Sequence, residues 1–197
     1  MLNEKLKNYH IILASGSPRR QLFFKDLGID FEIRLKPVKE EYPTHLQHFE
    51  ISDYLAQLKA EPFKEELKNH DILITSDTIV WHNNQALGKP ENEADAFQIL
   101  SAINDSTHEV ITSVCFSTKT TQKTVHDITR VTFKNLSEEE IKYYIKTYKP
   151  FDTAGAYGIQ EWIVQIGVTK IEGSYFNVMG LPTRLVYKTL LEIASSK

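Results

Sequence analysis

The segment Asp71–Trp81, DILITSDTIVW, limits the fold of this chain more than any other stretch. It is rich in β-branched residues and apolar on both faces, which predicts the central strand of a sheet covered on each side. Such a strand needs helices for cover. Ile11–Ala14 is a short apolar run that fits a buried strand, and Gly16-Ser17-Pro18 breaks it. A helix then follows, with Ser17 as N-cap, Pro18 in the first turn, Leu22, Phe23 and Leu27 as apolar contacts, and Gly28 as the stop. After the extended stretch Phe31–Tyr42, Ser52 is expected to cap a helix carrying Leu55, Ala56 and Leu58, which Pro62 kinks or ends. Asn84 lies in a turn, and Asn92 caps a helix with Ala96, Leu100 and Ile103 at helical spacing.

His108–Lys119 and Thr124–Phe133 alternate like strands and are expected to pair as a hairpin. Ser137 and Glu140 form a capping box ahead of Ile141, Tyr144, Ile145 and Tyr148, in a helix that stops before Pro150. Trp162–Ile171 reads as a further strand, and Gly180-Leu181-Pro182 introduces a last helix through Leu185, Leu190 and Ile193. The pattern is α/β, without internal repeats, low-complexity tracts or a linker, and residues 1–197 are expected to form one domain.

Composition narrows the function. Lysine and arginine number 23 against 26 aspartates and glutamates, a net charge of −3. The chain therefore lacks the cationic excess that non-specific nucleic-acid binding draws on, and no nucleic-acid partner is expected. Cys115 is the only cysteine, so no intramolecular disulfide can form, which fits a reducing compartment. The first residues carry no apolar run of signal-peptide length and no segment is long enough to span a bilayer, so a cytoplasmic protein with no membrane partner is expected.

Several residues are candidates for chemistry. Ser15-Gly16-Ser17-Pro18-Arg19-Arg20 joins a buried strand to a helix N-terminus, where backbone N–H groups and the helix dipole favour an anion. Arginine guanidinium groups suit phosphate oxygens, although a capped helix with two solvated arginines explains the same residues. It is not a Walker A loop. Asp77 interrupts a strand built for burial, and a buried carboxylate needs a network, a cation or a metal; the plainer alternative is a solvent-facing acid capping a turn with Thr78. Glu40 and Glu41 can help hold a divalent cation or stand solvated in a loop, and Lys59 and Lys89 can bind phosphate or merely solubilise.

His45 and His48 lack the H-E-x-x-H arrangement of a zinc helix, and Cys115 reads as a small buried hydrophobe. In Asp152–Gln160, DTAGAYGIQ, the small residues permit close approach of a ligand. Tyr157 can stack on a base or pack, and Gln160 offers a donor and an acceptor to a base edge; a tight structural turn is the alternative. Gly173–Pro182 is a second loop open to both readings.

Together, ILASGSPRR, SDTIV with a following GKP, DTAGAYGIQ and GSYFNVMGLP resemble the Maf family in order and spacing over nearly the whole chain. The resemblance implies a nucleoside triphosphate pyrophosphatase that cleaves between the α- and β-phosphates, with the DT and AGAYGIQ segments similar to the branch acting on dTTP and UTP. It implies an α/β fold, a curved mixed sheet with flanking helices in two lobes around a cleft, similar to inosine triphosphatases, and a homodimer as a recurrent state. By motif position, Asp77 is implied as the proton acceptor and Arg19, Thr78 and Gln160 as selectors of substrate. Ser15, Arg20, Glu40, Lys59, Lys89 and Asp77 are implied to line the phosphate and metal site, with Glu40 and Asp77 holding Mg²⁺ or Mn²⁺. Two positions depart from the family pattern: Leu58 replaces a charged residue, and Pro62 interrupts the helix bearing Lys59. The rival expectation is a regulatory protein linked to septum formation that binds nucleotide without significant turnover.

Overall fold

A computed structural model describes residues 1–195 of the chain. In chain order the elements are α1 (Leu2–Leu6), β1 (His10–Leu13), α2 (Pro18–Asp26), β2 (Glu32–Ile33) and α3 (Phe49–Ala60), followed by a short 3₁₀ helix, Glu61–Glu66. Next come β3 (Asp71–His82), β4 (Gln85–Leu87), α4 (Glu93–Ile103), β5 (Thr107–Ser117), β6 (Gln122–Phe133) and α5 (Glu138–Tyr148). A 3₁₀ turn at Ala154–Ala156 precedes α6 (Trp162–Gly167), β7 (Val168–Glu172), α7 (Tyr175–Val178) and α8 (Thr183–Ser195). The strands form one mixed sheet in the order β2-β1-β3-β5-β6-β7, with β4 paired to β3. The expected α/β class is what the chain adopts.

β3 is the predicted inner strand, with every residue from Asp71 to Asp77 buried. β1 runs parallel to both β2 and β3, with Ile12 opposite Leu73 and Leu13 opposite Ile33. β4 returns antiparallel through Asn83-Asn84, both at positive φ, the conformation that a two-residue hairpin turn demands.

The chain divides into two compact units. Unit one comprises Met1–Asp77, Thr112–Asp127 and the residues from Gly180 onward. Its core includes Ile12, Ala56, Ala60, Phe63, Leu67, Leu73 and Cys115, and each wholly buried Leu, Ile or Phe contributes about 1.5–3 kcal/mol. Unit two comprises Thr78–Ile111 and Ile128–Met179. Val80, Leu100, Ile103, Val131, Phe133, Ile141, Tyr144, Tyr157 and Ile163 belong to its core.

Most start and stop signals act as read. Ser17 caps α2, Asn92 caps α4, and Ser137 and Glu140 close a reciprocal capping box on α5. Three expectations are corrected. Leu22, read as an apolar contact of α2, is exposed, and Phe23 and Phe24 are the residues that helix buries. Ser52 does not cap α3, which starts three residues earlier: the Ser52 side chain is buried, donates to Phe49 O at 3.2 Å and meets Ser113 Oγ at 2.7 Å. Trp162–Ile171 is not one strand, because Trp162–Gly167 is helical and pairing begins at Val168. There Ile163 is fully buried, and Trp162 and Ile166 pack on the same core at helical spacing.

Candidate active site

In unit one, β1 delivers the chain to Ser15, which is buried and accepts a hydrogen bond from Ser17 N at 3.3 Å. Ser17 Oγ in turn accepts from Arg20 N, the N-cap bond of α2. Arg19 and Arg20 are half-buried in the first turn. Arg20 Nε donates to Gly180 O at 2.8 Å and one terminal nitrogen donates to Ser76 O at 3.0 Å. Arg20 thus braces the loop on two backbone carbonyls. Burial pulls its guanidinium below the ordinary arginine value, against the opposing pull of Asp77.

Asp77 does not face solvent: it is 6% exposed. Lys59 Nζ donates to its Oδ1 at 2.6 Å and lies 3.2 Å from Glu40 Oε1. The reach follows from two periodicities. Thr75 and Asp77 share a face of β3, while Ala56 and Lys59 lie three residues apart on α3. Thr75 Oγ1 donates to Ala56 O at 2.6 Å, so one tie sets the helix against the strand and the next brings ammonium to carboxylate. α3 ends at Ala60, so Pro62 falls beyond the turn that carries Lys59 and leaves it undisturbed.

The second carboxylate oxygen, Asp77 Oδ2, is buried and has no hydrogen-bond partner among the described residues. Burial raises the Asp77 carboxyl above its ordinary value, while the charge and hydrogen bond of Lys59, and then Arg20, oppose the rise. A buried acid with one oxygen fixed and one unbonded can hold a proton or a cation. Glu40 is exposed, and among the described residues no cluster of three or more His, Cys, Asp or Glu could hold a metal. Two carboxylates still suit Mg²⁺, which completes its shell with water and substrate phosphates.

Unit two holds Thr78, Lys89 and Gln160. Thr78 is half-buried, and Lys89 and Gln160 are exposed. The loops bearing the last two are joined, because Gly155 N donates to Gly88 O at 3.1 Å. Gly155 has φ +73°, and a Cβ there would lie 2.5 Å from Val80 Cγ2, so only glycine fits that approach. Tyr157 is buried with its hydroxyl 2.7 Å from His108 Nε2, which places its ring in the core rather than on a base. Asn177 is likewise buried, donating to Val110 O and Thr129 Oγ1, so this part of the Gly173–Pro182 loop is anchored. His48 meets Phe49 edge-on, and Phe49 stacks on His126.

Beside the site stand two residues to which sequence reasoning assigns no functional role, Glu161 and the α5 core residue Tyr144. Glu161 follows Gln160 and receives the Tyr144 hydroxyl hydrogen bond, and Gly158 N donates to both partners. The available signal was the G-x-x-E spacing from Gly158 to Glu161, which matches a β-turn closed by a side chain.

Known proteins bear on this arrangement. The family model described as Maf-like protein matches residues 10–193. A dTTP/UTP pyrophosphatase of Flavobacterium johnsoniae is 65% identical over 190 residues, covering 96% of this chain and 98% of the relative. One from Christiangramia forsetii is 57% identical over 196 residues, covering 100% of each. Among solved structures, the Staphylococcus aureus Ham1 protein shares 13% identity over 63% of this chain and 71% of its own, with a TM-score of 0.41.

Proposed function

This chain belongs to the Maf family, and from that premise we propose that it is a nucleoside triphosphate pyrophosphatase that hydrolyses dTTP and UTP to the monophosphate and pyrophosphate. The observation that carries the chemistry is the buried Asp77 carboxylate, with Oδ1 held by Lys59 and Oδ2 unbonded. Oδ2 accepts the proton of a water as the water oxygen bonds to the α-phosphorus. The bond from that phosphorus to the α,β-bridging oxygen breaks, and pyrophosphate leaves with the electron pair. Lys59 keeps the acid oriented, and its charge opposes the rise that burial imposes on the carboxyl.

Arg19, the amides at the start of α2 and Lys89 supply positive charge for the triphosphate, and Ser15 shapes the loop that presents it. Arg20 is assigned to the same phosphate site, chiefly as the brace of that loop. Thr78 and Gln160, with Arg19, select the substrate. Glu40 would help hold a divalent cation, Mg²⁺ or Mn²⁺, which when bound neutralises phosphate charge; in the alternative to the base role, Asp77 Oδ2 would be its second ligand. The regulatory reading gains no observation of its own.

The test is product analysis with dTTP, UTP, CTP, GTP and ATP plus Mg²⁺ or Mn²⁺, with pyrophosphate assayed separately from phosphate. The expected result is pyrophosphate from dTTP and UTP, abolished by Asp77→Asn. A near-wild-type rate in that variant would overturn the role of Asp77, and phosphate as the product would overturn the bond assignment.

A further inference from the structure

We propose that Tyr144 and Glu161 are positioning residues that fix the turn carrying Gln160 and so set how sharply the enzyme discriminates between nucleotide bases. The inference rests on the reading of Gln160 as a base-selecting residue. An amide that reads a base must present its donor and acceptor in one orientation, yet Gln160 is exposed and its side chain has several rotatable bonds. The part of that placement the fold can fix is the backbone from which the side chain starts.

That backbone is closed from both ends. Glu161 N donates to Gly158 O at 2.9 Å, a turn in which Gln160 is the third of four residues. The Glu161 side chain folds back over the same turn, and its Oε2 accepts from Gly158 N at 3.3 Å. Tyr144, fully buried on α5, donates its hydroxyl to that carboxylate oxygen and accepts from Gly158 N at 3.3 Å. The turn is thereby tied to α5, whose start Ser137 and Glu140 close with a reciprocal capping box. A Cβ on Gly158 would lie 2.7 Å from the Glu161 carboxylate, so the closure depends on a bare backbone beneath it. Burial, with the Glu161 carboxylate adding to it, raises the Tyr144 hydroxyl above its ordinary range, which keeps it a donor.

A purely structural tie would lower stability and slow every nucleotide alike. A positioning tie changes the ratio of kcat/KM between bases while sparing kcat on dTTP. The experiment measures kcat for dTTP and kcat/KM for UTP and CTP in the wild type and in Tyr144→Phe, Glu161→Ala, Glu161→Gln, Gln160→Ala and the Gln160→Ala/Glu161→Ala double variant. The UTP-over-CTP ratio should fall about tenfold in Tyr144→Phe and Glu161→Ala, the scale of one oriented hydrogen bond. It should recover in Glu161→Gln, which keeps an acceptor oxygen, and the double variant should fall no further than Gln160→Ala. Glu161→Asp, which withdraws the carboxylate by one methylene, reads the same ratio should Tyr144→Phe fail to fold. An unchanged ratio in the Tyr144 and Glu161 variants, with a lowered one in Gln160→Ala, overturns the positioning role and leaves the reading of Gln160 standing. An unchanged ratio in Gln160→Ala overturns both.

Discussion

Lys59 Nζ lies 2.6 Å from Asp77 Oδ1, inside normal hydrogen-bond length, so the acid of β3 is oriented by the last turn of α3. Burial raises Asp77 even with this partner present. The folded protein therefore gives up stability as pH climbs from the ordinary carboxyl value of 3.8 through the higher folded one. Lys59→Met removes the largest opposing influence and extends that loss to higher pH. The acid limb of the kcat/KM profile should move upward, and stability at neutral pH should fall by about 3–5 kcal/mol, as for a buried pair deprived of one member. Urea midpoints and rates measured from about pH 5 to about pH 9 check both signs.

Gly155→Ala meets two obstacles, a φ of +73° and Val80 Cγ2 at 2.5 Å. Overpacking of this kind costs about 1–3 kcal/mol, and the left-handed backbone adds about 1–2 kcal/mol. Because Gly155 N also holds Gly88 O beside Lys89, KM should rise along with the loss of stability. Val80→Ala should recover part of that loss in a double-mutant cycle, and strict additivity would show that the steric contact is not its source.

His108 is 1% exposed and burial, with His82 adding, lowers it from 6.5 to about 3. Below pH 6.5 the unfolded chain takes up a proton that the folded chain refuses, so stability present above that pH is lost as pH falls toward 3. Relative to neutral pH, the loss at pH 5 is about 2 kcal/mol. Denaturation midpoints of wild type and His108→Gln should diverge at neutral pH and converge in acid. Parallel pH dependences would show that another group is responsible.

Cys115 is fully buried in unit one, and burial raises its thiol above the ordinary value. A thiol-specific reagent should label it only as the chain opens, at a rate that tracks unfolding, and quickly in denaturant. Rapid labelling of the native protein would contradict its placement.

The sequence disclosed what local rules control. The Ser137–Glu140 box, the Asn92 cap and the burial of β3 each depend on residues within one turn or one strand. The family resemblance pointed to Asp77 and Lys59 one at a time. Their pairing was not legible, because 18 positions separate them and only the docking of α3 on β3 through Thr75 and Ala56 brings them together. Ser52 misled because a good capping residue is also a good buried hydroxyl when a partner such as Ser113 waits across the core. Trp162–Ile171 misled because a short apolar run fits either periodicity, and its start is set by the turn that Glu161 closes. Glu161 carries no local sequence signal beyond its spacing from Gly158, and its partner Tyr144 reads only as an apolar position of α5.

The Gly158–Glu161 turn separates what is held from what is presented. Gly158 and Ile159 are buried, yet Gln160 projects outward from the same turn. Substitutions at an exposed position of this kind usually change stability by no more than about 0.5 kcal/mol. On the proposal that Gln160 selects the base, single substitutions at this position would vary nucleotide preference at little cost to folding. A lineage could then drift from one pyrimidine to another, or toward a damaged base, along a path of folded intermediates. Saturation of this one codon, screened against a panel of triphosphates, would trace that path.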